Sequence, residues 1–222
     1  MLFQKDVRKL LAQRVGPKKC CCKQNGKAKM IKANYKYIQR VPPQLEPVSL
    51  DDIKAYLKVD ISEDDTLLDG MISAARQYCE KVTGRFLLAQ EWSVFLDRWY
   101  DEIHLKRGPI ISLDAINIYD DENQMVAFDV SNVIADLQIM PAELMLKRNS
   151  PLPHPLKPKN GLEIKVTAGY GENVNDVPKA LIEGIKQLVG HWYEFRGLNI
   201  SEIVKQSEVE TLWRPYKLWG IN

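Results

Sequence analysis

The residue types best suited to binding another molecule lie near the end of this 222-residue chain, at residues 211–219. Tyr, Trp and Arg carry most of the binding energy at protein interfaces, and chain ends fray unless they dock on something. The sequence therefore predicts a docking segment for a partner protein, and the alternative is that the segment folds back over the chain's own core. Its predicted contact residues are Leu212, Trp213, Arg214, Pro215, Tyr216, Lys217, Leu218 and Trp219.

Catalytic chemistry has no comparable constellation in this sequence. It contains no phosphate-binding loop, no Gly-x-Ser-x-Gly and no His-Glu-x-x-His. The acidic run at residues 120–122 has ligands that suit Ca²⁺ or Mg²⁺, but it lacks the EF-hand pattern and fits a solvated turn better. We therefore expect a protein that is not an enzyme, with no catalytic residue, no cofactor and no metal. An enzyme that uses scattered carboxylates is the rival reading.

The charge is distributed unevenly along the chain. Residues 1–49 hold 12 Lys and Arg against two acids, about +10, and the remaining residues hold 19 against 27, or −8. This asymmetry predicts a basic arm, residues 1–47, on an acidic body. The arm either neutralises nucleic-acid phosphates or lies on an acidic protein surface, with Tyr35 and Tyr37 able to stack on bases. Its candidate cations are Lys18, Lys19, Lys23, Lys27, Lys29, Lys32, Lys36 and Arg40.

The remaining composition is that of an ordinary globular protein, with 45% hydrophobic and 27% charged residues. No apolar run approaches the 18 to 20 residues that span a membrane, so we expect no membrane contact. Cys20, Cys21, Cys22 and Cys79 have a spacing that supports neither a disulfide framework nor a tetrahedral metal site. We interpret them as reduced thiols.

Three helices are predicted for the body, at residues 49–58, 63–83 and 176–196. Ser49 and Ser62 are suitable N-caps for the first two, and Gly84 suits the left-handed residue that ends the second. The third has apolar residues at heptad spacing from Leu181. Gly184 and Gly190 weaken it by roughly 1 kcal/mol each relative to Ala, which suggests close approach of another backbone. The arm has one further amphipathic segment, residues 2–15, which has apolar residues at helical spacing.

The middle of the chain, residues 90–168, shows the period-two alternation of β-strands. A loop with four prolines at residues 150–161 interrupts it. We therefore predict an α+β fold: a helical body with an inserted antiparallel β section and extended arms at both ends. The predicted domains are the basic arm and linker at 1–47, the body at 48–200 and a C-terminal docking arm at 201–222.

Several motifs occur in an order that resembles the head–tail connector, or adaptor, proteins of long-tailed bacteriophages and gene transfer agents. The resemblance covers residues 49–219. It lies in SLDDIKAYLKV at 49–59, EDDTLLDGMISAARQYCEKVTGR at 63–85, RGPI at 107–110, TAGYG at 167–171, VPKAL at 177–181, HWYEFRG at 191–197 and LWRPYK at 212–217.

The resemblance implies a structural protein of the virion neck, made in the host cytoplasm. Such proteins form a ring, typically of twelve copies, between the portal protein and a head-closure or tail-terminator protein, and packaged DNA passes through the lumen with weak contact. Their C-terminal arm engages the portal, which maps onto residues 211–219 here. The alternative function is nucleic-acid binding through the basic arm.

Overall fold

The computed structural model describes residues 34–151, 157–195 and 209–218 of the chain. Within them, four α-helices and eight β-strands form an α+β arrangement, with seven of the strands in succession between the second and third helices. The helices are α1 (Leu50–Leu57), α2 (Asp65–Thr83), α3 (Lys179–Glu194) and α4 (Val209–Trp213), and short 3₁₀ turns lie at Val130–Asn132, Val174–Asp176 and Arg214–Tyr216. The predicted amphipathic segment at 2–15 lies outside the described residues. No described helix combines the length and apolarity needed to cross a membrane.

The strands form two antiparallel sheets. Five strands lie in the order β1-β2-β8-β4-β5 and three in the order β3-β7-β6. Their bounds are β1 (Lys36–Val41), β2 (Gln90–Leu96), β3 (Glu102–Leu105), β4 (Ile110–Tyr119), β5 (Met125–Phe128), β6 (Val133–Asp136), β7 (Ala142–Leu146) and β8 (Leu162–Ala168). The mixed class of helices and antiparallel strands is confirmed. The sheet content is larger than the sequence indicated.

One additional strand, β1, falls inside the segment predicted to be arm and linker. It pairs antiparallel with β2, with Tyr37 opposite Val94 and Ile38 opposite Ser93. It was missed because it is an edge strand, held by backbone pairing on one side, and most of its side chains are exposed. The segment before Pro42 is therefore part of the sheet from Lys36 onward.

The ends of the helices show how local chemistry sets their bounds. Ser49 Oγ accepts a hydrogen bond from Asp52 N at 3.1 Å, as a helix N-cap does. Gly84 ends α2 in the left-handed region, with φ 74°. Two predicted starts need correction: Asp64 rather than Ser62 precedes α2, and α3 begins at Lys179 because a 3₁₀ turn occupies Val174–Asp176. Helix α3 ends at Glu194, two residues earlier than predicted.

The helices and the strands have separate hydrophobic cores. The buried apolar positions of α2 are Leu68, Ile72, Ala75 and Cys79, which recur at steps of four and three residues. They share a cluster with Leu181, Ile185 and Leu188 of α3. The inward-facing residues of the strands, among them Val94, Ile116 and Ile164, form the second cluster.

Candidate functional site

The predicted docking segment lies against the protein's own helices. Trp213, on α4, is 1% exposed and belongs to the helical core. Its Nε1 donates a hydrogen bond to the carbonyl oxygen of Leu181 at 3.3 Å, and its ring lies 6.1 Å from that of Tyr78. The indole occupies the space where a side chain at Gly184 would stand, so only glycine fits there. Trp213 therefore anchors the segment to α3.

The segment is also fixed at its other end, beside the C-terminus of α2. Leu218 N donates to the carbonyl oxygen of Thr83 at 2.9 Å. Arg85 Nε donates to the carbonyl oxygen of Tyr216 at 2.5 Å, and the Arg85 guanidinium lies 6.0 Å from the centre of the Tyr170 ring. These contacts hold residues 209–218 along their length.

The eight predicted contact residues therefore divide into a buried anchor and an outer side. Trp213 covers the chain's own core, as the alternative reading of the sequence had it. Arg214, Pro215 and Lys217 are exposed, and Leu212, Tyr216 and Leu218 are half-buried. Trp219 lies outside the described residues. Partner docking remains a prediction, and it now concerns the outer side of the segment.

The candidate cations of the basic arm lie mostly outside the described residues; Lys36 and Arg40 are the two that are described. Lys36 is exposed on β1. Arg40 donates hydrogen bonds to Glu163 Oε1 at 3.0 Å and Ser93 Oγ at 2.9 Å, so it contacts an acidic group of its own body. The predicted base-stacking role of Tyr35 and Tyr37 conflicts with their positions, because both pack against the core of the strands.

A buried carboxylate that the sequence analysis missed lies in the centre of the five-stranded sheet. Glu163, on β8, is 1% exposed. Besides Arg40, it accepts hydrogen bonds from Ser93 Oγ at 2.7 Å, Asn117 Nδ2 at 3.0 Å and Tyr119 OH at 2.8 Å. Four strands thus supply the network. Its sequence signal is weak, because Glu163 occupies an alternating position that normally faces solvent.

The network sets the protonation states of two of its members. Burial alone raises the pKa of Glu163, but the hydrogen bonds to the charged form outweigh it and lower the pKa to about 2. Burial, together with the neighbouring carboxylate, raises the pKa of Tyr119 to about 12. The carboxylate is therefore ionised and the phenol neutral at neutral pH, which is the pairing that stabilises the sheet.

A second missed cluster lies where α2 meets the strands. The guanidinium of Arg107 lies 4.5 Å from the centre of the Phe86 ring, 5.5 Å from Trp92 and 5.9 Å from Tyr37. Arg107 also donates to the carbonyl oxygen of Glu80 at 3.3 Å. Burial lowers the pKa of Arg107 and raises that of Glu80. The Glu80 carboxylate accepts hydrogen bonds from Arg76, Leu87 N and Gln90, so partners within the protein satisfy this cluster and its arrangement serves packing.

Comparison with known proteins agrees with the first three sequence motifs of the resemblance, which lie between residues 49 and 110. Residues 47–139 match a family model described as phage gp6-like head-tail connector protein. The resemblance to head–tail connector proteins is confirmed. No protein with a curated description matches the chain.

The fold is shared with chains of solved gene transfer agent (GTA) particles. A chain in the neck of an empty GTA particle computed with C6 symmetry has a TM-score of 0.68 and 17% identity, over 84% of this chain and 97% of that one. A chain in the virion of the native particle gives 0.68 and 18% over the same shares. One in the native neck computed with C12 symmetry gives 0.66 and 19%, over 85% and 97%. The shared fold thus extends well beyond residue 139.

Proposed function

We propose that this protein is a structural, non-enzymatic component of a virion neck, where it joins the portal vertex of the capsid to the head-closure or tail-terminator proteins. The observation that carries the proposal is the fold shared over 84% of the chain with a chain from a GTA neck. The family match at residues 47–139 supports it from the sequence side.

The proposed assembly is a ring of this chain, and the C12 symmetry of one similar neck favours twelve copies. A ring of identical subunits repeats one heterologous contact until it closes. Each copy then presents the same surfaces to the portal above and to the tail-side protein below. Twelve weak contacts give the ring a total avidity for the portal that no single contact has.

Portal docking is assigned to the outer side of residues 209–218. Arg214, Pro215 and Lys217 are exposed there, and Tyr216 and Leu218 are half-buried. The Trp213 anchor holds the segment, so a partner meets a preorganised surface rather than a free chain end. Preorganisation lowers the cost in conformational entropy that binding must overcome.

Packaged DNA is proposed to pass through the lumen of the ring with weak contact. The residues from 50 onward carry a net charge of −8, and negative charge repels the phosphates of DNA. The proposal requires acidic side chains along the channel, and a channel lined with lysines would contradict it.

The experiment that tests this function is co-purification with the portal protein that is encoded nearby, followed by imaging of the particles. We expect the full chain to add a ring to the portal, and the double substitution Arg214→Glu and Lys217→Glu to abolish that addition while the protein stays folded. Lys159→Glu, at another exposed cation, is the matched control and should bind as the wild type does. If the charge reversals leave the ring intact, the docking surface is wrong; if the unaltered chain never binds, the neck function is wrong.

The alternative function, nucleic-acid binding through the basic arm, makes a different prediction. Binding through phosphate contacts weakens steeply as salt rises. If deletion of residues 1–33 abolishes a salt-dependent affinity for DNA, the alternative gains support; equally weak DNA binding with and without these residues favours the neck protein.

A further inference from the structure

Strand β5 forms one edge of the five-stranded sheet, and this edge is open in the described part of the chain. β5 pairs with β4 on one side, and no described strand lies on the other. In the turn that precedes it, Asp120 N donates to the carbonyl oxygen of Gln124 at 3.2 Å. Hydrogen-bonded and non-hydrogen-bonded pairs alternate along an antiparallel ladder, so the N–H and C=O groups of Met125 and Ala127 point away from β4. Both residues can therefore pair with a further strand.

Four edge strands are described in the two sheets, and β5 is the one among them that has no charged residue. β1 contains Lys36 and Arg40, β3 contains Glu102 and β6 contains Asp136, whereas β5 is Met-Val-Ala-Phe. Charged side chains and proline are common means by which proteins keep an edge strand from pairing with another chain. β5 is short, but its sequence has neither of these means.

The apolar side chains of β5 face solvent. Met125 is 57% exposed and Val126 is 59% exposed. Val126 lies opposite Ile118 of β4, which is buried in the core of the strands. The core face of the sheet therefore continues as far as Val126, where no described residue covers it fully. A strand added at this edge would cover Val126 and complete the backbone hydrogen bonds of Met125 and Ala127.

The surroundings of β5 are acidic. Residues 108–146 contain seven Asp and Glu and no Lys, Arg or His. Three of these acids form the turn at residues 120–122, and Asp129 follows β5 directly. No ion pair among the described residues involves these four acids. Lys157 Nζ reaches the turn, but it donates to Asn123 Oδ1, at 3.0 Å. An added strand that carries Lys or Arg would therefore complement both ends of β5.

We propose that β5 binds a basic, extended segment of a partner protein, which joins the sheet as a further strand. In this mode of recognition the main-chain hydrogen bonds supply affinity, and alternate side chains supply specificity. The main chain of the segment pairs with Met125 and Ala127, and its apolar side chains lie beside Val126. Its Lys or Arg side chains face the acids at 120–122 and Asp129. The inference rests on the sheet edge alone and not on the neck function.

The charges also decide against a second copy of this chain as the occupant. Pairing β5 with β5 of another copy brings the acids of both copies together in either strand direction, and like charges repel. β1 of a second copy is a weaker match than a basic segment. Its Arg40 is already paired with Glu163, and Lys36 is its one other cation.

Amide hydrogen exchange of the ¹⁵N-labelled full chain, alone and with a synthetic peptide, tests the proposal. The probe is a peptide of about ten residues in which Lys and Val alternate. In the protein alone, the amides of Met125 and Ala127 should exchange quickly, and saturating peptide should slow both by roughly tenfold or more. Protection of these two amides in the protein alone would overturn the proposal, because the chain itself or a second copy would then occupy the edge. Unchanged exchange at saturating peptide would overturn it as well.

Matched peptides and variants separate strand addition from general attraction between opposite charges. The same peptide with a methyl group on each backbone amide keeps its charge but cannot donate hydrogen bonds, and it should protect neither amide. A peptide in which Glu and Val alternate should bind at least tenfold more weakly than the Lys peptide. Val126→Lys should weaken binding of the Lys peptide about tenfold, whereas Ile61→Lys, at an equally exposed apolar residue between α1 and α2, should leave it unchanged. Equal protection by the methylated peptide, or an equal loss with both variants, would contradict strand addition at β5.

Discussion

Replacing Gly184 by alanine tests whether Trp213 is an anchor of the body. The indole fills the position that a Cβ at Gly184 would take, so Gly184→Ala overpacks the contact and should destabilise the protein by about 1–3 kcal/mol. With Trp213→Ala the indole is gone, and the same Gly184→Ala change should stabilise α3 by up to about 1 kcal/mol, because alanine favours helix over glycine. The effect of Gly184→Ala on stability should therefore change sign when Trp213 is replaced by alanine.

The size of the coupling follows from these two values. The change in unfolding free energy of the double variant should be more favourable than the sum of the two single changes by about 1–4 kcal/mol. Trp213→Ala alone should cost about 3–5 kcal/mol, as loss of a fully buried indole does. Since that is a large part of a typical domain's stability, Trp213→Leu provides a second background if the alanine variant does not fold.

Urea unfolding followed by circular dichroism measures all four proteins. Gly70→Ala is the matched control, because Gly70 also lies inside a helix, α2, and a Cβ there meets nothing within 4 Å. It should stabilise the protein by up to about 1 kcal/mol in both backgrounds. If Gly184→Ala has the same sign with and without the indole, Trp213 does not occupy this site, and the segment is the free arm that the sequence predicted.

Three further predictions concern the sheet, a helix cap and the hydrogen bond from Arg85 to the carbonyl oxygen of Tyr216, which we call the clamp of the segment. Glu163→Gln should cost up to about 3 kcal/mol of unfolding free energy at pH 7, since the pKa of Glu163 is lowered from 4.5 to about 2. Because the pKa is lower in the folded state than in the unfolded state, that stabilisation is complete above pH 4.5 and is lost as the pH falls toward 2. The cost of Glu163→Gln should therefore shrink as the pH falls over this range. A cost that does not change with pH, or one equal to that of the exposed control Glu91→Gln, would contradict the network. Arg85→Met removes the donor to Tyr216 and should speed hydrogen exchange at residues 214–218 by roughly tenfold or more, with unchanged exchange arguing against the clamp. Ser49→Ala should lower the unfolding free energy by about 0.5–2 kcal/mol, and restoration by Ser49→Asp would identify the loss as that of a cap.

The features that the sequence predicted are those set by neighbouring residues. Ser49 caps α1 through an amide three residues away, and Gly84 ends α2 by its own backbone conformation. The alternation of β2 and β8 follows from one apolar face, and Val94 and Ile164 are paired on it. Such local rules do not depend on the conformation of the rest of the chain.

The features that sequence reasoning missed depend on distant residues. β1 is a strand because β2, some 50 residues later, offers a free edge to it. Glu163 is buried because donors from three other strands converge on it. Residue type identified Trp213 as an anchor but not what it binds. Gly184 was the available signal: we expected a backbone to approach it, and the ring of Trp213 approaches instead.

The position of β8 explains why the shared fold extends further than the family match. The match ends at residue 139, and the matched part includes β2 and β4, which do not pair with each other. Each pairs with β8, at residues 162–168, which lies between them. A chain that ended at residue 139 would leave both strands with an unpaired, buried edge, and unpaired buried backbone groups are strongly disfavoured. The matched residues therefore require the second half of the chain in order to fold.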